Sequence, residues 1–307
     1  MGSWIVSLEG TPAGGTMALV LVLISAVSHA LFGVISKGGV DPYINRGAIN
    51  IAYSLMTLPF ALFVLPMPTP EMWAVLGLSF LVHLAYELFQ ARAFSKGAFT
   101  LVYPVARGTG PLATSLLAFV VFSEHLYPMQ WLGLLILSGA IFGLALVNYR
   151  GFRHDIIASQ GFSAAILAAL GTGLMLAVFM IVDAKGTRMA ENPLTFIAWF
   201  FVLGAFGTPF FSVMRWRYRE RKGLPLPDPK RLAMRAVIGA VVALTTFGAM
   251  MVATRLAKLG EIVSLRETSI IFAAIFGMVF FRERLDRPKL ILIVLIATGA
   301  MIVQLGG

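Results

Sequence analysis

An arginine stands near the middle of an apolar run long enough to cross a bilayer. The run, about residues 98 to 122, contains Leu101-Val102-Tyr103-Pro104-Val105-Ala106-Arg107-Gly108-Thr109-Gly110-Pro111, and about 20 apolar residues suffice for a spanning helix. Centring a guanidinium in hydrocarbon costs about 2.5–3.5 kcal/mol on insertion scales, so Arg107 must face protein or water and meet a polar group there. Pro104 and Pro111 each remove a backbone donor, while Gly108 and Gly110 permit close approach, which predicts a helix bent beside its charge. A bent, charged span points to a binding site.

The same construction recurs further along the chain. Ala98 and Ala257, Arg107 and Arg266, Thr109 and Thr268, Phe122 and Phe281, Glu124 and Glu283, and Leu126 and Leu285 all stand 159 residues apart. Identities at one constant spacing, rare charged residues among them, indicate an internal duplication. The second copy of the polar core reads Leu265-Arg266-Glu267-Thr268-Ser269. Lys37-Gly38 likewise recurs as Lys185-Gly186, with the basic loop Arg215 to Arg231 holding the extra residues of the second half.

The solvent of this chain is lipid. Hydrophobic residues make up 59%, charged residues 12%, and the mean hydropathy is +0.87, whereas globular chains carry about twice that charge. Zero cysteines exclude disulfides, thiolate metal sites and cysteine nucleophiles. Residues 1 to 15 lack the basic start of a signal peptide, so the first span is expected to stay in the membrane.

Apolar runs bounded by Pro, Gly and charge clusters predict an all-α membrane protein with ten spans. They fall at about 17 to 36, 44 to 65, 72 to 94, 98 to 122, 128 to 148, 161 to 183, 193 to 214, 232 to 254, 261 to 281 and 288 to 305. The expected organisation is an N-terminal segment 1–16, a first repeat 17–148, a linker 149–160 and a second repeat 161–307. Five spans per repeat is an odd number, so the two repeats should be inverted relative to one another. The loops after spans one, three, five, seven and nine hold 18 of the 22 Lys and Arg residues other than Arg107 and Arg266. That side is therefore the cytoplasmic one, both termini point outward, and the formal charge of +10 reflects loop orientation rather than a nucleic-acid partner.

Polar residues at helical spacing define the candidate site. Arg46, Asn50, Tyr53 and Thr57 form one stripe, and His83, Glu87 and Gln90 another. Tyr103, Arg107, Gly110 and Thr114 align on the fourth span, His29 lies on the first with Ser25, and Thr245, Thr246 and Met250 lie on the eighth. These faces can converge on one cavity. The candidate substrate contacts are Arg107, Arg266, Tyr103, Arg46, Asn50, Tyr53 and Thr246; the candidate coupling or charge-partner groups are Glu87, Glu267, His83 and His29. Structural alternatives stand beside each: Arg107 and Arg266 as salt-bridge partners of Glu87 and Glu267, the histidines as packing residues, Arg46 as a snorkelling side chain. His29 and His83 lie on different spans with no nearby cysteine, and no phosphate loop or nucleophile triad is present, so neither metal nor cofactor is expected.

The chain resembles the drug/metabolite transporter superfamily, in its ten-helix EamA type. The matching residues are Ser28-His29-Ala30 leading to Lys37, Val102-Tyr103-Pro104 with Ala106-Arg107-Gly108, Glu124-His125-Leu126 with Gly133 and Gly139, Arg266-Glu267-Thr268-Ser269-Ile270, and Glu283-Arg284-Leu285 with Gly299. The resemblance implies two bundles of five helices around a central cavity, alternating access, and substrates among small metabolites. Two departures accompany it. Phe32 and Gly33 stand where relatives often carry a tryptophan-asparagine pair, and the loop charges reverse the cytoplasmic termini with which relatives are usually drawn.

The function expected is secondary transport of a small anionic or zwitterionic metabolite, such as an amino acid, organic acid or phosphonate, across the inner cell membrane. Three cavity arginines would outnumber two glutamates, and arginine's planar fork suits carboxylate or phosphate. Partners are the small-molecule substrate and membrane lipids; glycine-rich faces leave a homodimer open. A lipid-linked flippase, a membrane-embedded enzyme and a non-transporting scaffold or sensor are the alternatives. The topology is checked with reporter fusions: an alkaline phosphatase fused after Gly307 should be active, and a cytoplasmic readout there overturns the assignment.

Overall fold

Proline sets where many of these helices begin. It has no N–H to lose at the first helical position and its φ is already helical. Pro12, Pro42, Pro70, Pro128, Pro193 and Pro229 each open a helix, and Pro209 and Pro288 occupy second positions. The computed structural model describes residues 2–37, 41–96, 99–151, 162–281 and 286–307. Gly38, Ala98, Glu283, Arg284, Leu285 and most of the 149–160 linker lie outside the described residues.

The helices are α1 (Ser3–Val6), α2 (Pro12–Lys37), α3 (Pro42–Phe63), α4 (Pro70–Lys96), α5 (Phe99–Phe122), α6 (Pro128–Gly151), α7 (Phe162–Met189), α8 (Pro193–Leu203), α9 (Thr208–Arg221), α10 (Pro229–Leu256), α11 (Leu259–Arg266), α12 (Ser269–Phe281) and α13 (Arg287–Leu305). Among the described residues no other regular element occurs, and 9 stretches are long and apolar enough to cross a membrane. The 22-residue α3 is not among those, since Asn45, Arg46 and Asn50 make it more polar, yet it coincides with the expected second span.

Two spans read as single helices are each divided. Span seven becomes α8 and α9, because Pro209 cannot donate back to the preceding turn and Gly204 and Gly207 yield easily at the break. Span nine becomes α11 and α12, interrupted at Glu267 and Thr268. Conversely, α5 runs through both Pro104 and Pro111 as one helix. Where the sequence predicts a bend beside Arg107, the interruption falls beside Arg266, the equivalent residue of the other repeat.

The chain forms two compact units that do not follow its two sequence halves. One comprises Met1–Phe80 and Lys185–Leu256, the other Leu81–Ala184 and Ala257–Gly307, so each draws on both halves of the sequence, and the divisions fall inside α4, inside α7 and between α10 and α11.

In the first unit α2 packs on α10, and α3 packs on α8, α9 and α10. The buried stripe of α2 consists of Ala18, Val22, Ser25, Ala26 and Ala30; on α10 Ala236, Gly239, Ala240, Ala243 and Thr246 are buried, Gly239 facing Ile49 of α3. Such small residues at three- and four-residue spacing let helix backbones approach closely, the main source of cohesion where lipid removes the hydrophobic drive. Ser25 Oγ donates to Thr246 O at 2.7 Å, and Ser54 Oγ to Phe201 O at 2.7 Å. At one end Asp41 caps α3, accepting from Tyr43 N at 3.0 Å, and receives Arg215 Nε at 2.7 Å and Arg219 Nη1 at 3.2 Å. Burial opposes its ionisation, but Arg215 and the Tyr43 amide outweigh that and hold the Asp41 carboxyl below the usual range.

In the second unit α6 packs on α13 and α5, and α11 joins α5 to α13. Gly133 and Gly299 bring the α6 and α13 backbones together: a Cβ on Gly133 would lie 2.7 Å from Val303 N, and one on Gly299 would lie 2.6 Å from Leu137 N. The contact is backbone to backbone, so no side chain can move aside. Around it Leu137, Ala140, Ile141, Ile296 and Ala300 form a buried cluster.

Two outcomes follow. Gly299→Val should destabilise the purified protein by about 1–3 kcal/mol or more through overpacking, measured by thermal unfolding. Asp41→Asn, which leaves two guanidiniums facing a neutral amide, should cost about 1–3 kcal/mol, less than a fully buried pair because Arg215 is 42% exposed. Because the folded state lowers the Asp41 pKa, this stabilisation is complete above the unfolded carboxylate pKa and is lost as pH falls through the folded one. The stability gap between wild type and Asp41→Asn should therefore close on acidification below about pH 4.

Candidate functional site

The interruption between α11 and α12 is built from polar residues that satisfy the backbone locally. Glu267 N donates to Ser264 O at 3.2 Å, Thr268 N to Leu265 O at 3.1 Å and Ile270 N to Glu267 O at 3.0 Å. These are i to i−3 bonds, a tightened turn of the kind that marks hinges within helices. Thr268 Oγ1 also donates to Leu265 O at 2.7 Å, an example of a hydroxyl competing for a backbone partner. The backbone stays bonded, as it must at membrane depth, while the helical phase shifts.

That shift sets Glu267 and Ser269 toward Arg107 of α5. Arg107 Nε lies 3.1 Å from Glu267 Oε2, an ion pair without hydrogen-bond alignment, and the side chains are 7% and 1% exposed. Arg107 Nη2 donates to Ser269 Oγ at 3.1 Å, and the guanidinium carbon sits 5.8 Å from the centroid of the Tyr103 ring on the same helix. Arg266, 3% exposed, lies within Coulombic range of both Arg107 and Glu267 and of Tyr86 and Tyr103. Two guanidiniums and one carboxylate thus share a buried cluster with a formal charge of +1. The position 159 residues before Glu267 is Gly108, against which Phe142 packs at 3.2 Å from the place of a Cβ.

The sequence left Glu87 and Glu267 open as partners of Arg107; the ion pair is made with Glu267. Glu87 is half-buried on α4 in the same unit. His83, one turn earlier, has its Nε2 2.9 Å from Asp183 Oδ2 on α7, and its ring stacks on Phe179 at 4.3 Å. Asp183 was not among the sequence candidates. Its charge marks an end to span six when hydropathy is read alone, whereas α7 continues through Met189 and keeps Asp183 buried. Tyr86, also not singled out, packs edge-on against Phe179 and accepts from Gln90 Nε2 at 2.7 Å.

The remaining candidates belong to the first unit. Arg46 lies over the Phe32 ring at 5.0 Å. Asn50 Nδ2 donates to Thr208 Oγ1 at 3.1 Å, and Tyr53 packs edge-on against Phe201 at 5.1 Å. Thr246 accepts through its carbonyl from Ser25, and His29 is half-buried on α2.

Replacing Glu267 by Gln preserves shape but leaves Arg107 without the carboxylate it pairs with. A loss of about 3–5 kcal/mol is expected, as for breaking other buried pairs, read as a lowered unfolding temperature. An unchanged temperature would mean the carboxylate does not hold the cluster together.

Comparison with known proteins agrees with this architecture. Residues 163–305 match the model of the EamA-like transporter family. No curated protein matches the chain in sequence. Among solved structures, a crystal structure of a protein with 15% identity superposes with a TM-score of 0.69 over 96% of this chain and 99% of that one, which shows a shared fold. The protein is a multi-pass, all-helical membrane protein whose residues 163–305 are similar to the EamA-like transporter family.

Proposed function

We propose that the protein is a secondary transporter, not an enzyme, that moves a small anionic or zwitterionic metabolite across the inner cell membrane by alternating access. Amino acids, organic acids and phosphonate-like compounds are the substrate class. The observation that carries this is the buried Arg107, Arg266 and Glu267 cluster, whose formal charge is +1 beside a helix interruption. Charged groups at membrane depth are costly and concentrate on transport pathways, and discontinuous helices there form the ion and substrate sites of other transporter folds.

The cluster suggests how an acidic group is taken up. In the unloaded state Glu267 serves as the counter-charge of Arg107. A substrate carboxylate or phosphonate offers the same charge and a better bidentate fit to the guanidinium, so it replaces Glu267 rather than meeting an unpaired cation. Ser269 heads α12, and the N–H groups and dipole of a helix start add to the attraction for an anion. Tyr103 bounds Arg107 on its other side. Inverted repeats would supply two access states from one architecture, with the substrate's acidic group held by one arginine in each.

The test is a thermal-shift screen of the purified protein against amino acids, carboxylates, phosphonates and sugar phosphates, run beside Arg107→Lys and Arg107→Gln. Ligand binding to the native state raises apparent stability. An anionic compound should stabilise the wild type, and both variants should lose affinity at least about tenfold, Lys because it keeps charge but not the fork. Stabilisation only by amines or lipids, with the variants responding like wild type, removes the anion site and favours lipid-linked flipping.

A further inference from the structure

From the geometry we infer that His83 and Asp183 form a protonation site that couples proton movement to transport, an inference that rests on the transporter reading above. The pair sits midway along α4 and within α7, with Nε2 to Oδ2 at 2.9 Å. Its exposures differ: 23% for the His83 side chain and 7% for Asp183, so the carboxylate is the more enclosed of the two. A purely structural hydrogen bond would need only a neutral donor. An imidazole paired with a buried carboxylate instead changes net charge from −1 to 0 when one proton arrives from water, and back when it leaves. Histidine is the side chain whose unperturbed pKa of about 6.5 places that change near physiological pH.

Packed rings lead from the pair toward the arginine cluster. His83 stacks on Phe179 at 4.3 Å, Phe179 meets Tyr86 edge-on at 5.1 Å, and Tyr86 is an electrostatic neighbour of both Arg107 and Arg266. All of these residues belong to one unit. The other ionisable groups on the two helices near the pair are Tyr86 and Glu87 on α4 and Lys185, two positions beyond Asp183, on α7. Charging His83 therefore alters the field along a row of rings whose last member, Tyr86, interacts electrostatically with the guanidiniums. Contiguity becomes coupling only if both ends bias one equilibrium, and that is what the experiment measures.

Two readouts separate this inference from the reading it rests on. The first needs no substrate: histidine-labelled protein, with 4 histidines to assign, is titrated by NMR between pH 5 and 8, beside Asp183→Asn. The His83 resonance should shift across that range and do so differently in the variant; a resonance that stays fixed, or one indifferent to Asp183, overturns the protonation site. The second uses proteoliposomes with radiolabelled succinate, L-glutamate and methylphosphonate as separate probes, the membrane potential clamped. Wild type should show counterflow, and also accumulation driven by a pH gradient, up to about tenfold per pH unit for one proton per substrate. His83→Gln, and the His83→Gln/Asp183→Asn double variant, should keep counterflow and lose gradient-driven accumulation. Counterflow without any pH-driven component in wild type sinks the coupling and leaves the transporter intact. No counterflow of any probe, with His83 titrating, removes the anion-transporter reading and the coupling with it.

Discussion

The contact between Arg107 and Glu267 governs the second unit. Neither charge is tolerable alone at membrane depth, so α5 and the turn between α11 and α12 must be neighbours before either helix is stable. That requirement explains why a membrane-spanning segment is interrupted there at all. A continuous helix through Glu267 and Thr268 would carry the carboxylate along its regular spiral; the tightened turn re-aims it and brings Ser269 within reach of the same guanidinium. Thr268 adds a hydroxyl bond to the Leu265 carbonyl, which its own backbone N–H already engages, and so doubles the hold on the turn.

The two arginines that stand 159 residues apart do not have equal roles. Both repeats carry an arginine at this depth, yet only the second follows it with glutamate; the first has glycine and a phenylalanine against it. The consequence is one carboxylate among two guanidiniums, an imbalance that a perfectly symmetric pair of repeats would not produce. Elsewhere the repeats stay closer to one another. Asp41 caps α3 and Asn192 caps α8 in the same manner, each followed by proline and each accepting the amide two residues on. This Asx-Pro start was a repeat signal available in the sequence alongside the spacing of the arginines.

Small residues do the structural work that apolar bulk does in water. Small residues line the packed faces of α2 and α10, and the meeting of Gly133 with Gly299 places the α6 and α13 backbones in direct contact, because lipid offers no advantage to burying a leucine over exposing it. Hydroxyl-to-carbonyl bonds such as Ser25 to Thr246 and Ser54 to Phe201 then fix the register of helices that packing alone would let slide. Polar side chains in these helices therefore divide into those that lock register and those, like the arginine cluster, whose charge exceeds any structural need.

Composition, apolar run length and the placement of proline determined the helices, because in lipid a backbone must satisfy itself within each segment, and that rule is local. Arg107, Arg266 and Glu267 were legible for the same reason: a charge in an apolar run stands out with no knowledge of the fold. Tertiary structure alone decided which charges meet. Arg107 could have paired with Glu87 or Glu267, and nothing in linear spacing ranks partners on different helices. It also decided that Asp183, which hydropathy reads as the end of a span, lies inside a helix beside His83. The grouping of helices into units was equally hidden, since contacts between segments far apart in sequence depend on which small-residue seams fit together. Local physics wrote the helices; the cost of stranded charge and the fit of backbones chose their neighbours.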